Sequence, residues 1–500
     1  MSGVRPVFRH ALIFGLAPVL QKLIALLLLP YFTHYLDEDQ YGLRDLLVAV
    51  TGLFPVLFTF EYRTGFIRSY VGLETSAARA ELFTATFKLM TLLAVLAAGS
   101  FCLFWEPIFR FAHAPPVSDF FRLVLTAGIF LDVLTLTLAS AAQAELWSAK
   151  MLGLNLLQFT LGVLLNIQFV VVQELGALGL FLGYALSSTV YLLGLVWITR
   201  GLFVRHVPLL RSLAICRPSL VYSLPLWGGS LAYFVVRYVE RIIIPGVGSL
   251  GSLGVYGIAW KLSNMLGAFL LEPFLRSFDV WRFKVFAEGG EVAVIADCFR
   301  WFMLALGAAA LALSTFGIDL FLGLADERYA GAAAYIPWLN VAVLLQCAYS
   351  ISASAFFVAA RTGTWMALFV GAALLQVCAC SLLIPAFGPL GAPLAMIGTN
   401  AFLYAGTILF GATLWRVPYR HGLALGVILL ATALSFVRQE LELDTWLAAG
   451  TADALLLATF AGCALLARWV SLAELREGWG QVRGSILTRI APRSGHRPGR

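Results

Sequence analysis

The chain has 500 residues, 61% of them hydrophobic and only 12% charged, with a formal net charge of +7 and a mean hydropathy of +0.88. A soluble chain carries about a quarter charged residues and under half apolar ones, so this composition excludes a soluble enzyme. It describes an all-α integral membrane protein, because the alternating polar-in pattern of a β-barrel is absent.

A membrane-crossing helix needs roughly 20 mostly apolar residues. About fourteen stretches qualify, starting near residues 8, 42, 81, 117, 149, 176, 216, 250, 299, 335, 362, 389, 420 and 446; they are called spans 1 to 14. Residues 8–31 read as a retained first span, since no small-residue cleavage site follows the apolar run. The basic residues sort by side. Arg5, Arg9, Arg63, Arg68, Arg79, Arg200, Arg205, Arg211, Arg282 and the C-terminal arginines fall on one side, while Asp37, Glu38, Asp39, Asp326, Glu327, Glu440, Glu442 and Asp444 crowd the other, joined by few cations such as Arg241 and Arg438. This asymmetry places both termini in the cytoplasm. It accounts for the net charge as topology, with no nucleic-acid partner.

The chain also repeats itself. Lys22, Pro30, Tyr41-Gly42, Gly52 and Phe54 recur as Arg237, Pro245, Tyr256-Gly257, Gly267 and Phe269, a shift of 237 − 22 = 215 residues. Gly176, Leu178, Gly179 and Leu182 recur as Gly388, Leu390, Gly391 and Leu394 at a shift of 212. Such a period implies an N-lobe of spans 1–6 (residues 1–200), a basic linker (201–217) and a C-lobe of spans 7–12 (218–415). Six spans is an even number, so the lobes are parallel repeats about an axis along the membrane normal. Spans 13 and 14 (416–468) lie outside the repeat, as lipid-facing packing or a partner-binding flank. Residues 469–500 read as an amphipathic basic tail on the inner leaflet, opened by a Ser471–Glu474 capping box. The longest inside loop, Arg276 to Arg300, has room for an interfacial helix.

Ionisable groups inside spans cost about 2.5–3.5 kcal/mol each near the centre, so they point to function. Lys22 and its repeat mate Arg237 sit midway, Arg44 and Lys261 near the outer ends of spans 2 and 8, Arg63 and Arg68 at the inner end of span 2. Together they suggest a cationic path for an anion, above all a diphosphate. The competing reading is structural: Glu240 lies three residues after Arg237, within salt-bridge reach on a helix, and Arg44 and Lys261 are placed to snorkel. Glu61, Asp132, Glu240 and Glu272 are candidates for a coupling proton or sodium ion, the one cofactor the pattern leaves room for. Asn155, Gln158, Asn166, Gln346, Gln376 and Asn400 read as interhelical hydrogen-bonding groups.

Enzyme signals are weak. Asp37-Glu38-Asp39 matches a metal-binding Asp-x-Asp, but in a short outward loop where nucleotide sugars are absent. No catalytic residues, no phosphate loop and no metal-ligand spacing emerge. Among the seven cysteines, Cys378 and Cys380 are two apart and so do not share a helix face.

Leu29-Pro-Tyr-Phe-Thr-His-Tyr-Leu36, Gln40-Tyr41-Gly42-Leu43, Ile67-Arg68-Ser69-Tyr70 and Ile384-Pro385 followed by Phe387-Gly388-Pro389-Leu390-Gly391-Ala392 resemble bacterial polysaccharide (O-antigen type) flippases. These belong to the multidrug/oligosaccharidyl-lipid/polysaccharide exporter superfamily. The resemblance implies a transporter of the bacterial inner membrane that flips an undecaprenyl-diphosphate-linked oligosaccharide by alternating access, for surface polysaccharide or exopolysaccharide. Its partners would be the lipid-linked oligosaccharide, membrane lipids and polymerase or other assembly proteins. Lys22, Arg237 and Arg68 match basic cavity positions on that reading. Trp281-Arg282-Phe283-Lys284 departs from the family's Trp-x-Pro-Phe run, which puts the inner gate in question. The alternatives are a flippase for the peptidoglycan precursor lipid and a drug or organic-ion antiporter of the same superfamily. A membrane polymerase or ligase would need a large outward loop, which is absent.

Overall fold

With no water in the hydrocarbon core to satisfy its amides, a chain this apolar must close its backbone hydrogen bonds within helices. In the computed structural model, which describes residues 21–22, 24, 27–204, 207–287, 292–441 and 446–470, no strand occurs among the described residues. The first half of span 1, Arg205, Glu442, Asp444 and the tail from residue 471 lie outside them. Eleven helices among the described residues are long and apolar enough to cross a membrane. One of these runs, Thr362–Leu414, holds both Thr362–Phe387 (span 11) and Gly391–Leu414 (span 12). The protein is a multi-pass membrane protein.

Span 1 is helical at 27–33. Span 2 (Glu38–Thr59) starts four residues before its expected position because the Asp37 carboxylate accepts a 2.7 Å hydrogen bond from the Gln40 amide and caps it. The first Asp of the Asp-x-Asp match is therefore a helix cap. Phe60 and Glu61 both take left-handed backbone angles, with φ of 51° and 52°. They end span 2 and re-aim the chain into a short helix, Tyr62–Val71. Spans 3 (Ser76–Leu103), 4 (Asp119–Ala144), 5 (Ser148–Asn166, extended by a π-turn at Ile167–Val172) and 6 (Gly176–Thr199) complete the N-lobe.

Span 7 is a single 39-residue helix, Leu209–Val247, beginning earlier than hydropathy suggested. Span 8 (Leu250–Leu266) passes through a π-turn at Gly267–Leu271 into the helix Glu272–Ala287, which fills the long inside loop. Lys261 and Asn264 hold its hydropathy down, and it is not among the eleven. Span 9 (Val292–Ala312), span 10 (Ile336–Ser352), span 13 (His421–Glu440) and span 14 (Trp446–Leu466) follow.

The repeated glycines behave alike. Gly176 and Gly388 both have positive φ, 57° and 62°, the left-handed conformation that glycine adopts without steric cost. Three residues on, Gly179 and Gly391 each press against the preceding helix: an added Cβ would lie 3.0 Å from the Phe169 carbonyl carbon and 2.3 Å from that of Leu383. Overpacking against backbone costs about 1–3 kcal/mol. Gly391→Val is therefore expected to lower the melting temperature of the purified protein, while Gly398→Ala in the same span, where a Cβ meets nothing within 4 Å, leaves it unchanged. Equal melting temperatures would contradict this packing.

Two sequence placements are corrected. Arg241 is not in an outer loop: span 7 continues through Pro245 to Val247, leaving Arg241 inside the helix and 3% exposed. Arg438 sits in the last turn of span 13, where its guanidinium bonds Asp453 of span 14 at 2.6 Å and Asp319 beyond span 9. That triad pins the two extra spans to the C-lobe. The two neighbouring cysteines divide as expected, Cys378 exposed and Cys380 buried.

Candidate functional site

Span 2 forms the seam between the lobes. At the end carrying the acidic loops it packs backbone to backbone on span 8: a Cβ on Gly42 would lie 1.8 Å from the Leu250 carbonyl oxygen, and one on Gly254 2.1 Å from that of Glu38. Loop contacts reinforce this end. The Tyr329 hydroxyl donates to the Leu36 carbonyl (2.9 Å), and the Asp326 amide to the Thr33 hydroxyl (3.1 Å). Hydrogen bonds from Arg328 hold the Asp326 carboxyl down at about 2, keeping it ionised 3.8 Å from His34. At the opposite end span 2 turns to span 7. The Trp227 indole donates to the Val56 carbonyl (2.8 Å), the Gly65 amide to the Ser223 hydroxyl (3.1 Å) and the Ser230 hydroxyl to Glu61 (2.8 Å).

Between these closures lies a cavity of about 360 Å³, walled by spans 1, 2, 5, 6 and 8. It brings together Lys22, Arg44 and Lys261 over apolar walls that include Leu29, Phe32, Phe159, Met265 and Phe269. Arg44 and Lys261 lie deeper than headgroup anchors because spans 2 and 8 begin at Glu38 and Leu250, two and three turns earlier. Arg237 lies behind this cavity, in a C-lobe crevice of about 30 Å³ with Tyr233, Gln346, Tyr349 and Asn400. The two spaces share Trp260 and Asn264, and the guanidiniums of Arg237 and Arg241 pack on the Trp260 ring at 4.8 and 4.4 Å. Arg63 and Arg68 are not brought in. The break at Phe60–Glu61 carries them onto the short helix, where Arg63 bonds Gln143 (2.7 Å) and Arg68 stacks on Tyr222 at 4.2 Å.

The cations are tied to carboxylates that cross the seam. Asp45, 2% exposed, accepts from Arg44 at 2.6 Å and faces Lys261 at 3.6 Å and Arg241 at 4.0 Å. Lys261 also donates to the Tyr41 hydroxyl and lies over its ring. Glu240, fully buried, pairs with Arg241 at 2.8 Å, not with Arg237 as the i, i+3 spacing suggested; Arg237 donates to the Tyr233 hydroxyl at 3.3 Å. Lys22 pairs with Glu272 at 2.7 Å. Four cations (Lys22, Arg44, Arg241, Lys261) pair with three carboxylates (Asp45, Glu240, Glu272), and Arg237 joins them through Trp260, a formal surplus of two positive charges. Asp45 and Arg241 went unrecognised in the sequence. The signal available was two adjacent charges, Arg44-Asp45, on what proved to be the interior of a span.

A second cavity, about 390 Å³, lies within the N-lobe between spans 2, 4, 5 and 6. It holds Asp132, whose carboxylate accepts the Tyr184 hydroxyl proton across spans 4 and 6. The four carboxylates considered for ion coupling thus have separate partners: Glu61 the Ser230 and Thr64 hydroxyls, Asp132 Tyr184, Glu240 Arg241, Glu272 Lys22. Several in-span amides bond between helices as expected, with Gln158 donating to Ser188 (3.1 Å), Gln376 accepting from Thr399 (2.6 Å) and Asn400 donating to the Ala342 carbonyl (2.8 Å).

The model of a family described as polysaccharide biosynthesis protein matches residues 7–276, more than half of the chain. The chain belongs to that family. Its fold is shared with solved transporters. A structure of the lipid II flippase MurJ in an inward closed conformation superposes with a TM-score of 0.69 at 12% identity, covering 91% of this chain and 99% of that one. An inward-facing multidrug resistance MATE family transporter of the MOP superfamily gives 0.61 at 15% identity, covering 79% and 97%. An outward-facing one gives 0.52 at 14%, covering 80% and 93%. No curated protein sequence matches the chain. The fold of this family member is that of the exporter superfamily, and the bacterial inner membrane fits the family.

Proposed function

We propose that this protein flips a lipid-diphosphate-linked oligosaccharide from the cytoplasmic to the outer leaflet of the inner membrane by alternating access, for surface polysaccharide or exopolysaccharide assembly. The observation that carries the reading is the formal surplus of two positive charges in the network beside a largely apolar cavity at the seam between the lobes. A diphosphate diester carries one negative charge on each phosphoryl group, and fixed cations in a low-dielectric site hold such a group far better than they would in water. Lys22, Arg44 and Lys261 are the residues that would receive it. Arg237 and Arg241 support them through Trp260 and Asp45, and Arg63 and Arg68 act outside the cavity. A cationic drug would meet repulsion here.

Coupling to a proton or sodium ion would use these pairs. When a diphosphate claims Lys22, the half-exposed Glu272 is freed to take up a proton or sodium ion, and the buried Glu240 would need one if Arg241 turned away. A polymerase or other assembly protein would take the flipped product.

The test is chemical analysis of surface polysaccharide and lipid-linked intermediates in a deletion strain. Loss of one polysaccharide, with its lipid-linked unit retained on the cytoplasmic leaflet, is the expected result. Accumulation of peptidoglycan precursor with surface polysaccharide intact would replace this reading with the second one, a precursor flippase. Raised drug sensitivity alone would point to an antiporter.

A further inference from the structure

We infer that the second cavity, inside the N-lobe, is the subsite for the sugar that adjoins the diphosphate, and so the place where this transporter discriminates between oligosaccharides. The inference rests on the flippase reading. The two cavities share Arg44, Asn166 and Leu180, so a group attached to a diphosphate held at Arg44 has a direct way into the second. Its volume of about 390 Å³ falls in the range of small-molecule sites.

The lining chemistry suits a neutral, hydroxyl-rich ring and not an anion. Asp132 is a carboxylate with Tyr184 on one oxygen, which repels phosphate but accepts from sugar hydroxyls. Asn166 lines the cavity, its Oδ1 buried against Gly183 without a hydrogen-bond partner, and Thr51, whose hydroxyl donates to the Leu47 carbonyl, adds a second polar side chain to the wall. Phe181 and Tyr184 offer ring surfaces to the C–H face of a pyranose. Gly128 keeps the space clear, since a Cβ there meets nothing within 4 Å.

The C-lobe crevice around Arg237 is much smaller. Its crevice is about 30 Å³, and the position matching Tyr184 at the repeat shift, 184 + 212 = 396, is Met396, which lines that crevice. A pair of lobes built alike thus differs between these two spaces, about 390 Å³ in the N-lobe and about 30 Å³ in the C-lobe.

The test measures binding of undecaprenyl diphosphate, bare or carrying one hexose or N-acetylhexosamine, to the purified full-length protein in lipid nanodiscs. At least one sugar-bearing lipid should bind about tenfold more tightly than the bare lipid, since a site built for sugar hydroxyls leaves its polar groups unpaired without them. Gly128→Leu should erase that preference while the bare lipid still binds. Tyr184→Phe, which keeps the ring and the fold, should weaken it several-fold. A wild-type protein with no preference for any sugar, or a preference that survives both substitutions, would overturn the inference. So would an Asp132→Asn variant that loses proton or sodium dependence of transport with its sugar preference intact, which would make the cavity an ion site. Failure of the wild-type protein to bind even bare undecaprenyl diphosphate would instead sink the flippase reading, and this inference with it.

Discussion

A Lys22→Ala/Lys261→Ala variant should reach the membrane at wild-type levels and fail to restore surface polysaccharide in a deletion strain. The two substitutions remove two of the three cations that line the central cavity. Truncating one partner of a desolvated charge pair costs about 2–5 kcal/mol of binding, and about 1.4 kcal/mol is tenfold, so transport should fall by roughly a hundredfold or more. The fold should tolerate the change. Asp45 keeps Arg44 and Arg241 as partners, and Glu272 is already half exposed while paired with Lys22. Arg237→Ala, one layer behind at Trp260, should cost less than Lys261→Ala. Normal polysaccharide from the double variant, measured beside its membrane abundance, would return these cations to a purely structural role.

Asp45→Ala should act in the opposite way, on the fold before the transport. Asp45 is the carboxylate on which Arg44, Lys261 and Arg241 converge, and the last two belong to the other lobe. Removing one member of a buried ion network leaves uncompensated charge and costs about 3–5 kcal/mol. The purified variant should therefore melt several degrees below wild type, with reduced yield. Asp45→Asn, which keeps hydrogen-bonding capacity, should lose less. Combining Asp45→Ala with Lys261→Met should recover part of the loss, because the second change removes one of the stranded cations. A single variant as stable as wild type would show that the network does not hold the lobes together.

Much of the architecture was legible because the membrane leaves few choices. The onsets of the described spans follow the apolar runs, and the repeated Gly176 and Gly388 take the same left-handed turn, since a local backbone requirement writes itself directly as glycine. The network was less legible. Reading Arg44 and Lys261 as headgroup anchors depended on where helices begin, and a cap at Asp37 moved one start by four residues. Rotation about each axis was harder still. Spacing rules hold only along an unbroken 3.6-residue helix, and π-turns at Ile167–Val172, Gly267–Leu271 and Leu313–Gly317 interrupt three spans. One of them separates Lys261 from Glu272, so the pairing of Glu272 with Lys22, 250 residues away, could not be carried across it by counting. Glu240 shows a third limit: two arginines were within reach on the helix, both pack on Trp260, and spacing alone did not say that Arg241 is the one that pairs.

The most direct measurement is flipping by the purified protein. Lipid-linked oligosaccharide recovered from the deletion strain would be placed in proteoliposomes, and its accessibility to a membrane-impermeant glycan-oxidising reagent followed with time. Translocation predicts that the protected inner-leaflet half becomes accessible with wild-type protein, and stays protected with the Lys22→Ala/Lys261→Ala variant and in protein-free vesicles. Protection that persists with folded, reconstituted wild-type protein would contradict the account.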